Sequence, residues 1–209
     1  MVQRIVLIKD GYDVNGYFYV DKSTGRGYFF DPGAEAERIA EIIRKNGLII
    51  EKIIITHGHF DHIGGAEELR SLISAPVFIH ENGRLFLSDP HYNLSEFTGT
   101  GKISFEADGY FKDGDMISLD DGSLPLKVIH TPGHTDDSCV FYSEKESLAF
   151  TGDTIFKGTY GNPRFPTGNE ALLIKNIREK VLTLPDETVL YSGHTKATTV
   201  KDERPFYRV

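Results

Sequence analysis

The ten residues Ile53-Ile54-Ile55-Thr56-His57-Gly58-His59-Phe60-Asp61-His62 decide how the rest of the chain is read. From Leu48 to Thr56 the isoleucines 49, 50, 53, 54 and 55 make a nearly continuous β-branched run, the pattern of a strand covered on both faces. That strand ends just before three histidines and one aspartate fall within six positions. By composition alone such a cluster arises in about one chain of this size in a thousand. Alternation puts His57 and His59 on one side of an extended turn, and Asp61 and His62 follow as the chain bends toward a helix. Two donor pairs can therefore face two neighbouring metal ions. Imidazole and carboxylate without thiolate favour zinc, with iron or manganese also compatible.

Working outward, Val2–Ile8, Gly16–Val20 and Arg26–Phe30 read as an antiparallel meander of short strands separated by turn residues. Residues Ala34–Asn46 carry Ala36, Ile39, Ala40 and Ile43 at helical spacing, with Gly47 as a C-terminal stop. After the histidine cluster, Ala66–Ser74 reads as a helix and Pro76–His80 as a strand, and Glu81–Gly109 as loop or short helix. Strands are expected again at Gly114–Leu119, Leu126–Thr131, Ser138–Tyr142 and Ser147–Thr151, then a helix over Glu170–Leu182 and a last strand at Thr188–Tyr191. The pattern is mixed α/β, without a repeat or a linker, and predicts a single domain over residues 1–209.

Three further stretches share one design: Pro132-Gly133-His134-Thr135, Thr151-Gly152-Asp153-Thr154 and Ser192-Gly193-His194-Thr195. In each a glycine precedes a metal-ligating residue type at or just after an apolar strand, where a sharp backbone turn presents one side chain at the sheet edge. With the first cluster they bring the candidate donors to seven, more than the four that one tetrahedral zinc takes. His80, His91 and His130 have no partner at useful spacing, and His130 is expected to be a hydrogen-bonded core residue.

Composition limits the function. Hydrophobic residues make up 39% and charged residues 26%, an ordinary globular balance. Lys plus Arg number 23 against 31 Asp plus Glu, a net charge of -8, which disfavours nucleic acid and anionic membrane as partners. The apolar run within Met1–Asp10 is too short for a signal peptide, and no window is long enough to span a bilayer. The single Cys139 excludes an intrachain disulfide framework. A cytoplasmic setting is the expectation, and the sequence does not specify an oligomeric state.

With these residues in place, the chain resembles the metallo-β-lactamase fold superfamily, and within it the single-domain glyoxalase II-like (hydroxyacylglutathione hydrolase-like) branch. The resemblance runs over essentially the whole chain. It is carried by His57, His59, Asp61 and His62, by His134 in Thr-Pro-Gly-His-Thr, by Asp153 in Gly-Asp-Thr-Ile-Phe, and by His194 in Ser-Gly-His. It implies an αββα sandwich of two mixed sheets flanked by helices, with the site at one sheet edge. It also implies that His57, His59 and His134 bind one metal, that Asp61, His62 and His194 bind the other, and that Asp153 bridges them. The implied reaction is hydrolysis, most simply of a small-molecule thioester, by a hydroxide shared between two divalent ions, with Asp61 orienting that hydroxide or relaying its proton.

The stretch Ala197–Arg204 looks like the segment that closes single-domain members of that branch. Two departures bear on the thiol. The chain stops at Val209, where full-length glyoxalase II continues into a helical glutathione-binding domain, and Asn162 and Arg164 stand after Gly161 where glutathione-handling relatives tend to carry other residues. Thioester hydrolysis with weak dependence on glutathione is therefore expected. Tyr160, Arg164, Phe165 and Lys196 are the candidate substrate contacts, from their placement near the donors. A mononuclear iron persulfide dioxygenase, an RNA-processing nuclease and a non-catalytic metal-binding domain remain as alternatives.

Overall fold

The computed structural model describes residues 1–99 and 101–208. Thr100, inside the stretch read as loop or short helix, and Val209, the end of the expected domain, lie outside the described residues.

The first sheet takes the strands in chain order: β1 (Val2–Lys9), β2 (Tyr12–Val20), β3 (Arg26–Phe30), β4 (Ile49–Ile54), β5 (Val77–His80) and β6 (Gly109–Phe111). Its first three strands are antiparallel and the rest run parallel, with α1 (Ala36–Lys45) and α3 (Ala66–Ile73) as crossovers. The second sheet runs β12 (Thr198–Thr199), β11 (Val189–Ser192), β10 (Leu148–Gly152), β9 (Cys139–Ser143), β8 (Leu126–His130) and β7 (Met116–Ile117). Its one parallel pairing, β10 with β11, is crossed by α5 (Glu170–Asn176), which continues into a π-helical turn over Ile177–Val181.

Period-2 alternation assigns each strand residue to one of three apolar layers. Tyr17, Tyr19, Tyr28, Phe30 and Ile54 of the first sheet meet Cys139, Phe141, Leu148 and Phe150 of the second in the central layer. The neighbours Phe18, Phe29, Ile53 and Ile55 face outward and are covered by Ile39 and Ile43 of α1 and Leu69 of α3. Val140, Tyr142 and Ala149 face the opposite way, onto Leu173 of α5, Ile177, Val181 and Val200 and Tyr207 of α6 (Val200–Tyr207). The result is helix, sheet, sheet, helix. At its centre the Phe30 and Phe150 rings stack 4.0 Å apart at 16°.

Several boundaries differ from the sequence reading. β2 begins at Tyr12 because Asp13, Val14 and Asn15 pair with Ile8, Leu7 and Val6. The stretch 81–109 contains α4 (Gly83–Ser88) and a 3-10 turn at Ser95–Phe97. The strand expected over Gly114–Leu119 shrinks to Met116–Ile117 as Gly114 takes φ 85°. β11 is not the last strand, since Thr198 and Thr199 pair back onto Leu190 and Val189. Among the described residues no helix is long and apolar enough to cross a membrane.

Candidate metal centre

The donors collect where strands of both sheets end. β4 releases the chain into Thr56–Ile63, whose first residue is fastened by Asp31: the Thr56 amide donates to Asp31 Oδ1 at 2.8 Å and the Thr56 hydroxyl to Oδ2 at 2.8 Å. α2 (Phe60–Ile63) then turns Asp61 and His62 inward. The hairpin between β8 and β9 supplies His134, β10 ends next to Asp153, and β11 ends next to His194. Two glycines before these donors act in different ways. Gly152 occupies the left-handed region at φ 48°, whereas Gly193 is needed for space, because a Cβ there would lie 2.3 Å from Asp153 Oδ1 and 2.6 Å from a His62 ring carbon.

His57 Nε2, His59 Nδ1 and His134 Nε2 form a triangle with sides of 3.1, 3.2 and 3.0 Å. Beside it, His194 Nε2 lies 3.4 Å from His62 Nε2, 3.3 Å from Asp61 Oδ2 and 3.4 Å from Asp153 Oδ2. Asp153 also reaches both groups, 3.4 Å from His62 and 3.6 Å from His134. A zinc ion about 2.0–2.1 Å from each tetrahedral ligand holds those ligands about 3.3 Å apart, so the observed spacings suit such ions.

The ring protons agree with this use. His57 Nδ1 lies 3.3 Å from the Thr56 hydroxyl oxygen, whose own proton goes to Asp31; His134 Nδ1 donates to the Asn162 carbonyl at 3.0 Å. His62 Nδ1 donates to Asp31 Oδ2 at 3.0 Å and His194 Nδ1 to the Asp13 carbonyl at 2.6 Å. Each of these four rings therefore turns Nε2 toward the centre, and His59 turns Nδ1 there while its buried Nε2 has no partner among the described residues. The Nε2 lone pairs of His57 and His134 meet at 3.2 Å, a repulsion that a cation between them would relieve.

Burial and neighbouring histidines hold His57 well below the usual imidazole range, and burial lowers His134 and takes His59 to about 3. Burial also opposes charge on His62 and His194, but Asp153, Asp31 and Asp61 outweigh it at His62, and Asp153 and Asp61 at His194; these rings rise to about 10 and about 11. Against burial, His62 and His194 keep Asp61 and Asp153 ionised.

The sequence reading missed two buried acids. Asp31 fixes Thr56 and His62, and its only sequence signal is its position at the end of β3. Asp137 accepts from the Gly58 amide at 2.9 Å and so braces the turn between His57 and His59; burial raises its pKa to about 7. Asn15, at the unforeseen start of β2, clamps the other end by donating to the carbonyls of Ser192 and Thr195.

A cleft of about 780 Å³ opens on the donors, with His59, Asp61, His134, Asp153 and His194 in its lining. Arg164 and Phe165 line it too, and the Phe165 ring stands edge-on to His59 at 5.4 Å. Tyr160 and Lys196 do not: Tyr160 donates its hydroxyl to Glu170 and packs on Tyr207, and Lys196 is exposed outside the cleft. His80 and His130, read as unpartnered, stack on each other 4.0 Å apart, and His130 Nε2 bonds the Asp136 carbonyl rather than lying in the core.

Comparison with known proteins places this arrangement. The sequence pattern of the Metallo-beta-lactamase superfamily matches residues 10–194. The chain is 35% identical over 195 residues, 92% of its length and 91% of the relative's, to a probable metallo-hydrolase, YqgX, of Bacillus subtilis. It is 33% identical over 176 residues, 83% of its length and 82% of the relative's, to the hydroxyacylglutathione hydrolase GloC of Haemophilus influenzae. The crystal structure of the BLEG-1 B3 metallo-beta-lactamase superposes with a TM-score of 0.91 at 32% identity, covering 98% of this chain and 97% of that one.

Proposed function

Since the chain belongs to the Metallo-beta-lactamase superfamily and its fold is that superfamily's sandwich, we propose that it is a thioester hydrolase working with two divalent ions, zinc by donor chemistry. His57, His59 and His134 would hold one ion, Asp61, His62 and His194 the other, and Asp153 would serve both. The observation that carries the reading is the convergence of these seven side chains, five of them in the cleft lining, in three groups whose donor atoms lie within 4.8 Å of one another. The thioester class is supported by the likeness to the Haemophilus hydroxyacylglutathione hydrolase.

Ions bound there would bring the pKa of water toward about 7 and polarise a carbonyl. The chain's own residues do the rest. Asp61, held ionised by His62 and His194, is an acceptor at the cleft surface that can orient a nucleophilic water and take its proton. Phe156, edge-on to His194 at 5.8 Å, and Phe165, edge-on to His59, restrict water around the donors. Arg164 is the only lysine or arginine in the cleft lining among the described residues. A thiolate leaves without full prior protonation, so the site needs no strong acid.

The test is a hydrolysis screen with metal-quantified protein, using lactoylglutathione, a lactoyl thioester of a small thiol, a lactone, a β-lactam and a phosphodiester. Thioesters are expected to be cleaved at kcat/KM of about 10⁴ M⁻¹s⁻¹ or more. A single cationic side chain offers little to the two carboxylates of glutathione, so the two thioesters should differ by less than about a hundredfold, about 2.7 kcal/mol. A β-lactam or lactone cleaved faster than both thioesters overturns the proposal.

A further inference from the structure

The cleft contains more apolar surface than the chemistry needs. Its lining includes Tyr12, Leu94, Phe97, Phe156 and Phe165, and of these Phe97 is 69% exposed, Tyr12 59% and Phe165 37%. Leu94 and Phe97 belong to none of the three apolar layers that hold the sheets and helices together. Exposed rings gathered at one concave site mark a binding surface.

The loop that carries Leu94 and Phe97 is built to hold them there. Asn93 and Ser95, on either side of Leu94, are buried. Asn93 donates to the carbonyls of Phe86 at 2.8 Å and Ile103 at 3.0 Å, and its oxygen accepts from the Ser95 amide at 3.0 Å. The Ser95 hydroxyl in turn accepts from the Ile103 amide at 2.9 Å. Leu94 itself sits at φ 69°, in the left-handed region that a leucine rarely adopts. Backbone strain of this kind persists only where surrounding contacts enforce it. The loop thus presents two apolar side chains in a fixed position, while Phe165 carries the apolar surface up to His59 and His134, at 5.4 and 6.4 Å.

We infer that the acyl group this cleft accepts is bulky and apolar, aryl or branched alkyl, seated against Leu94, Phe97 and Phe165. The substrate class is then the apolar acyl thioesters rather than short hydroxyacyl ones. This rests on the thioesterase reading and narrows it. A preformed apolar wall contributes to affinity in proportion to the apolar surface the guest buries, which a lactoyl group lacks and a phenylacetyl group supplies.

The experiment fixes one small thiol and compares its phenylacetyl and lactoyl thioesters on metal-replete protein, together with the Phe97→Ala variant. Phenylacetyl should lead by about tenfold or more in kcat/KM. Phe97→Ala should lower that value about tenfold, mainly through KM, and should lower the lactoyl value by a clearly smaller factor. Equal rates in the parent protein, or equal losses in the variant, overturn the inference. Calorimetric titration with phenylacetate and lactate reads the wall without turnover: phenylacetate should bind, more weakly to Phe97→Ala, and failure to bind overturns the inference. If neither thioester is cleaved but phenylacetate still binds in a Phe97-dependent way, the thioesterase reading fails and the apolar subsite stands. A dimer that dissociates on Phe97→Ala in sedimentation would assign the ring to a subunit contact and overturn the inference.

Discussion

Asp61 is the residue at which metal retention and chemistry can be separated. Asp61→Asn keeps size and one oxygen donor but removes the charge that His62 and His194 stabilise. We expect kcat to fall by about a hundredfold to a thousandfold, some 2.7–4 kcal/mol, with folding nearly intact, because the Ile53–Ile55 core is untouched. Full recovery of kcat at saturating zinc would show that Asp61 is a ligand only. The neighbouring histidines make a second prediction, for protein stripped of metal. His62 and His194 titrate near 10 and 11 when folded, against about 6.5 unfolded. Their stabilisation is complete below about pH 6.5 and disappears as pH rises toward 10 and 11. His59, at about 3, acts in the opposite sense: its contribution is present above about 6.5 and is lost as pH falls toward 3. Chelated protein should therefore lose thermal stability on both sides of neutrality. Metal binding must expel the protons on His62 and His194, so affinity should rise with pH above 7, and calorimetry in buffers of different protonation enthalpy would count the protons released.

At the scale of elements, the isoleucine strand was the easiest to read, because Ile53, Ile54 and Ile55 alternate between two apolar layers and leave no polar face to confuse the pattern. The residues that meet at the candidate centre were equally legible, since four of them cluster just after the isoleucine strand and His134, Asp153 and His194 each follow a glycine at or just after an apolar strand. What escaped was β2's first half. Asp13 and Asn15 look like turn residues, yet the Asn15 amide donates to the Ser192 and Thr195 carbonyls and the Asp13 backbone carbonyl accepts from His194, so contacts at the site override local propensity. The 3-10 turn at Ser95–Phe97 was hidden for a related reason: it is held by buried Asn93 and Ser95 rather than by hydrophobic periodicity. The stacked pair Phe30 and Phe150 joins the sheets, and Phe30→Ala should cost about 3–5 kcal/mol in denaturant titration. The same variant should still bind metal at the parent stoichiometry, because no donor changes.

For the whole molecule, the expected stoichiometry is two ions per chain, measured by elemental analysis of protein purified without chelator. Saturation at one ion, with His194→Ala leaving the content unchanged, would refute the two-ion assignment. The donors span both sheets, so bound ions would also link them, and chelation should lower the melting temperature of the entire fold rather than of one lobe.

The long reach of these contacts also has a consequence in time. His62 and His194 meet across 132 residues, and His194 is anchored to Asp13 across 181. At about 5–20 residues per second, a ribosome needs roughly 7–26 s to advance from one histidine to the other. Throughout that interval the nascent chain carries His57, His59, Asp61 and His62 without His194, and for roughly its first half without His134 as well, an open fragment that lacks the finished centre's full donor set. The proposed two-ion centre would therefore close only after His194 has been made, and the metal available during those seconds would matter as much as the final affinity.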